Sequence, residues 1–267
     1  MDKSANGMLN PSEVKQGILN IMIAVDSFCR INGIKYSLAY GTLIGAVRHN
    51  GFIPWDDDID IWMPRPDYNR FIKEFKHDTF VFHSMETDSD WPLIFGKVCD
   101  ERYSAIDEFG KDFGLFVDIF PIDGLPDNDR TISAYYRKIR FIEKLWSNQV
   151  LTSRLTITSQ MPLKKRCKIL IARVLGMFVK KEHIIDSFVR ASSKYDFNTA
   201  SRCCVVTEGH FIFDKEAISE YTLLPFEGNS FMAAKGYDEL LHSLFGNYME
   251  LPPVEQRINH GLKVTVR

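Results

Sequence analysis

Six consecutive residues limit what this chain can fold into more than any others: Asp58-Ile59-Asp60-Ile61-Trp62-Met63. Ile59, Ile61 and Met63 alternate with Asp58, Asp60 and Trp62, the period-two pattern of a strand with one apolar face. Asp58 and Asp60 then project from one side. Two carboxylates held that way repel each other and lose hydration unless a cation lies between them, and oxygen ligands on a rigid strand suit Mg²⁺ or Mn²⁺. Metal-assisted phosphoryl transfer is the chemistry expected here. An acidic run after Pro54-Trp55 also reads as a solvated loop. A plain loop would not run on into an apolar strand pattern, where unpaired charge is costly.

Residues 34–39 read as a first strand that delivers Gly41-Thr42 at its end. Gly41 lets the backbone approach a ligand, and Thr42 offers a hydroxyl and an N–H at a predicted helix start, an anion-binding arrangement. The same short helix carries Arg48. A phosphate seat and a metal seat therefore fall on adjacent elements. Further along, Asp118 is flanked by Val117, Ile119 and Phe120, an expensive setting for a carboxylate without a cation. Capping a turn is the alternative for Asp118, although Asp123 before Gly124 fits that task better.

The stretch GTLIGAVRHNGFIPWDDDIDIWMPRPDY closely resembles the signature of the LicD family of phosphocholine transferases, which is related to fukutin and fukutin-related protein. FVDIFPIDGLP and FGNYMELPPVEQRINH look like that family's second and third blocks, so the resemblance covers most of the chain. It implies an α/β (α+β) nucleotidyltransferase-like core with a short mixed sheet. It also implies transfer of a phospho-alcohol, typically phosphocholine from CDP-choline, to a sugar hydroxyl of a surface glycan or its lipid-linked precursor.

On that resemblance Asp118 is the third carboxylate, holding metal with Asp58 and Asp60 or taking the proton of the attacking hydroxyl, and Lys97 reaches the donor phosphates. Arg257 and His260 in the closing block contact donor or acceptor, or are surface residues. Trp55 and Tyr248 are candidates for a choline cage, since ring faces hold a quaternary ammonium; both could equally be core. Two other readings stay open: transfer of the nucleotide half to the acceptor, and a non-catalytic glycan- or cation-binding module in which the acids hold Ca²⁺. Choline, ribitol, glycerol and ethanolamine all remain as the alcohol.

At 267 residues the chain can bury a substantial interior, and its net charge of -2 gives no overall reason to bind nucleic acid. Its five cysteines are odd in number and lack C-x-x-C spacing, which points to thiols in a reducing compartment. The absence of an apolar run long enough for a signal peptide or a span leads to the expectation of a cytoplasmic protein.

The division expected is a catalytic core over 1–128 and a mainly helical region over 129–267 that ends in a hairpin and a tail. Asn10, Pro11 and Glu13 predict a helix start, and Asp67 a second one; helices are also expected over 131–151, 183–195 and 237–245. Strands are expected over 80–85, 94–99, 103–107 and 203–206, and a hairpin with Gly228-Asn229 at its turn. Residues 164–181 carry Lys164, Lys165, Arg166, Lys168, Arg173, Lys180 and Lys181 with no acid among them. A basic, apolar helix of that kind suits peripheral contact with an anionic membrane at its inner face, or core packing with one solvated side.

Overall fold

A computed structural model describes residues 7–106, 111–154, 158, 161–176, 179–208, 211–257 and 263–267. Helix α1 (Pro11–Asn32) starts as its sequence dictates: the Asn10 side chain accepts from the Glu13 N–H at 3.0 Å, and Glu13 accepts from the Asn10 N–H at 2.8 Å. Gly33, left-handed at φ 63°, ends it. Its apolar face, including Ile18, Met22 and Val25, is buried in the main core.

Strand β1 (Ser37–Leu38) is shorter than the expected 34–39, because only these two residues pair with β2 (Asp60–Pro64). Helix α2 (Tyr40–His49) lies between them. Helix α3 (Arg65–Glu74) follows β2 directly, with Pro64 and not Asp67 at the cap position; Asp67 falls in the first turn. Then come β3 (Val81–His83), β4 (Gly96–Asp100), β5 (Tyr103–Ser104) and the long β6 (Leu115–Leu125). The strand expected to run to 107 ends at Ser104, and Asp107 lies outside the described residues.

Three helices follow, α4 (Asp129–Arg154), α5 (Leu163–Gly176) and α6 (Lys181–Ser192). The chain closes with β7 (Arg202–Val205), β8 (Ile212–Asp214), β9 (Tyr221–Phe226), β10 (Asn229–Ala234), α7 (Tyr237–Phe245) and β11 (Thr265–Val266).

The main sheet runs β1-β2-β6-β4-β3, with β7 on the C-terminal half of β6 and β8 outside it. The β2–β6 pair is parallel and the other pairs are antiparallel, so the fold is α+β with a mixed sheet. Because β7 pairs with β6, the chain beyond residue 128 returns to the sheet that the first half begins. The β9–β10 hairpin also packs there: the Ala234 N–H donates to Ser37 Oγ at 2.9 Å.

Its turn is Glu227-Gly228, both left-handed at φ 47° and 72°, and Asn229 already pairs with Phe226. Glutamate is held in that conformation from both ends. Its N–H donates to Asn50 O at 2.9 Å, and its Oε1 accepts from the Phe52 N–H at 3.1 Å. A second apolar cluster, with Trp91, Phe113, Ile139, Trp146 and Phe188, lies beneath α4 and α6.

Trp62 departs from the simple strand reading. It shares the face of Asp60, the first residue of β2, yet is fully buried, with its ring against Tyr40 at 5.0 Å and Phe211 at 5.6 Å. Asp58, expected on the same strand, precedes it, because pairing with β6 starts only at Asp60. The polar face of β2 is therefore a charged patch that gives way to an aromatic core within two residues. Beyond it Arg65 donates two hydrogen bonds to Asp123, at 2.6 and 2.7 Å, with both side chains buried. Asp123→Ala, leaving the guanidinium unpaired, should lower the unfolding free energy by about 3–5 kcal/mol in urea titration, and Arg65→Met with Asp123→Leu should recover much of that loss.

Candidate active site

Strand register assembles the site. Asp60 on β2 lies beside Asp118 on β6, and Asp118 lies opposite Lys97 on β4. Side chains at paired positions point to one face, so the three form a row across three hydrogen-bonded strands. The row is pinned at its edge as well. The Asp60 N–H donates to Thr42 Oγ1 at 2.9 Å, the Asp60 carbonyl accepts from Ala39 at 3.0 Å, and the Asp118 N–H donates to Ile59 O at 2.9 Å. Thr42, expected to offer its hydroxyl to an anion, is buried, and its Oγ1 accepts from the first residue of β2.

Lys97 is buried with its Nζ ion-paired to Asp118 Oδ1 and 3.5 Å from the centre of the Phe116 ring. Phe95 and Phe113 stand at 5.4 and 5.3 Å, so an aromatic cage lowers the cost of keeping that ammonium in the sheet.

The carboxylates outnumber it. Burial pushes the Asp60 carboxyl well above the usual range, and the charges of Asp58, Asp118 and Asp56 push the same way while Lys97 opposes them. Burial raises Asp118 to about 6 even with Lys97 against it, and Asp58 adds to the rise. Mutually repelling carboxylates that offer only oxygen donors are the chemistry that a hard divalent cation satisfies. Among the described residues no three such side chains are gathered tightly enough to hold a metal ion as they stand. One oxygen of Asp118 is engaged by Lys97 instead.

Asp56 joins this group although its sequence position gave it no separate role. A Cβ on residue 41 would come 2.6 Å from Asp56 Oδ2, so this carboxylate lies over Gly41 at the start of α2, where an anion is favoured. Asp56 keeps the parity of Asp58 and Asp60, which was the available signal; the turn at Pro54-Trp55, closed by Asp56 N–H to Ile53 O at 2.9 Å, obscured it. Tyr40, just before Gly41, is left-handed at φ 44° and held by edge contacts with Trp62 and Phe120.

The remaining expected residues sit around this centre. The Arg257 guanidinium covers the Trp55 ring at 4.7 Å and donates to Pro252 O at 3.1 Å, bringing the C-terminal segment back beside the acids. Arg48 lies roughly 9 Å along α2 from Thr42, by the helical rise per residue. There it donates to the carbonyls of Tyr248 and Glu250 at 2.6 and 3.2 Å. Tyr248 is buried in the main core with its hydroxyl on Asp238. His260 lies outside the described residues. Asp57 faces a separate cleft of about 580 Å³, lined by Lys15, Phe52, Glu227 and Lys263 among others.

The model of the family described as LicD/FKTN/FKRP, nucleotidyltransferase domain, matches residues 33–166, which hold all four acids and Lys97. The chain is 32% identical over 254 residues to the lipopolysaccharide cholinephosphotransferase LicD of Haemophilus influenzae, covering 92% of this chain and 93% of that protein. An uncharacterized protein of Rickettsia typhi is 34% identical over 101 residues, 37% of this chain and 31% of its own. One of Rickettsia prowazekii is 58% identical over 36 residues, 14% of each chain.

The raised carboxyls fix the sign of a pH dependence. The native state holds these protons more tightly than the unfolded chain, whose carboxyls titrate near 4. The stability this contributes is fully present below about 4 and is lost as pH rises through the Asp118 value of about 6, with Asp60 adding to the fall in the same direction. Urea unfolding between pH 3.5 and 8 should show that decline, and Asp60→Asn should flatten it. Asp118→Asn should instead destabilise by about 3–5 kcal/mol at pH 7, because it leaves Lys97 buried and unpaired.

Proposed function

The chain belongs to the LicD family and is a transferase, and from that premise we propose that it moves phosphocholine from CDP-choline to a sugar hydroxyl of lipopolysaccharide or a related glycan. The observation that carries this reading is the row Asp60–Asp118–Lys97, with Asp58 and Asp56 beside it and the start of α2 at its edge. A non-catalytic module falls with the family assignment.

Asp58, Asp60 and Asp118 would hold Mg²⁺ or Mn²⁺, which when bound supplies Lewis-acid polarisation of the donor's pyrophosphate oxygens. Lys97 offsets phosphate charge from the same face. The N-terminal end of α2 favours an anion over Gly41, where Asp56 is the present occupant. The sugar oxygen attacks the phosphorus that bears choline; the new O–P bond forms as the bond to the CMP phosphate oxygen breaks, and the hydroxyl proton passes to a carboxylate of the row. Positioning and charge stabilisation supply most of the rate in such transfers.

Trp55 gives the choline end its place. Its ring already accepts one cation, the Arg257 guanidinium, and the quaternary ammonium of the donor would take that face in its stead.

CDP-choline labelled in its choline part, incubated with a lipopolysaccharide acceptor and Mg²⁺, should leave label on the glycan and release CMP. Label left as free phosphocholine with CMP joined to the acceptor would show nucleotidyl transfer instead. Asp58→Asn and Asp60→Asn should each lower kcat by roughly 10³-fold. Trp55→Leu should raise KM for CDP-choline about 10-fold while leaving KM for CDP-glycerol unchanged, a split that a merely structural tryptophan would not produce.

A further inference from the structure

Helix α5 turns its apolar side away from the protein. It packs on α4, and Ile169 is buried, yet Leu163, Leu170, Ile171 and Val174 are 71, 51, 59 and 52% exposed. The spacing is periodic. At 100° per residue Leu163, Cys167, Leu170, Ile171 and Val174 fall within an arc of about 100°, opposite the side that carries Ile169. Lys164 and Lys168, both exposed, border one margin of this stripe, and Arg166 borders the other. No acidic residue occurs from 163 to 181. Among the described residues no helix is long and apolar enough to cross a membrane.

We propose that α5 is a docking surface for an anionic lipid bilayer, lying in the plane of the headgroups with the leucine–isoleucine–valine stripe inserted and the lysines on the lipid phosphates. An exposed apolar stripe between basic margins is the form of an interfacial helix, and at 14 residues α5 spans about 21 Å of surface. Charge selects this occupant over a second copy of the chain. Two such stripes laid face to face would bring basic margins together with no acid in either helix to meet them, whereas an anionic leaflet complements both at once. The surface needs no substrate, so its test is independent of the chemistry proposed above.

Sedimentation of the full chain with vesicles decides the matter. Phosphatidylcholine vesicles containing about one third phosphatidylglycerol should carry most of the protein into the pellet at 50 mM salt. Binding should fall at least 10-fold at 500 mM salt, and as far on vesicles of phosphatidylcholine alone. Lys164→Glu with Lys168→Glu, and separately Ile171→Ser with Val174→Ser, should each reduce binding about 10-fold without moving the thermal unfolding midpoint, since all four side chains are exposed. Protein remaining in the supernatant with anionic vesicles at low salt overturns the proposal. So does binding that neither pair of substitutions alters, or a dimer in sedimentation velocity that Leu170→Ser abolishes while vesicle binding persists unchanged.

Discussion

Backbone pairing between two parallel strands is the constraint on which the rest of this structure depends. It sets Asp60 beside Asp118 at strand spacing, where like charges repel strongly in a medium less polar than water. Everything nearby bears on that repulsion. Lys97 neutralises one carboxylate from the third strand, the Phe116 face supports the ammonium, and the edge fixes Asp60 through Thr42 and Ala39. The arrangement remains one of excess negative charge in a pre-ordered frame. Such a frame favours whatever cationic or metal-bearing ligand enters it, because the cost of ordering has been met in folding.

The C-terminal segment completes the surroundings by a different means. It reaches α2 through Arg48, whose guanidinium holds the carbonyls of residues 248 and 250, and reaches the acidic turn through Arg257 on Trp55. Neither contact is apolar core. Each is a planar cation laid on a carbonyl pair or a ring face, interactions that specify orientation more than they add stability. Glu227 does a similar task at the hairpin turn by bonding back to the loop after α2. Residues more than 170 positions apart are thus fastened around one corner of the sheet.

What could be read from the sequence was local or strictly periodic. The α1 start was legible because its capping box lies within four consecutive residues. Asp118 was legible because a carboxylate among Val117, Ile119 and Phe120 needs a partner, and the family resemblance, beyond the three blocks, pointed to Lys97. Partners supplied by distant segments were not. Trp62 follows the polar parity of β2 but is covered by Phe211 from far along the chain, and the start of α2 lies close enough to β2 for Thr42 Oγ1 to accept from the Asp60 N–H. The Gly-Asn dipeptide suggested the wrong turn centre, since two long-range bonds hold Glu227 where its backbone alone would not sit.

The alternation within the ladder has one more effect. Had β6 slid by a single residue against its neighbours, Ile119 would stand where Asp118 does and the acid would turn toward the interior packed by α1. The same side chains that gather charge on this face therefore penalise every misaligned pairing of the sheet. The charge of the face and the proofreading of the fold are vested in one set of groups.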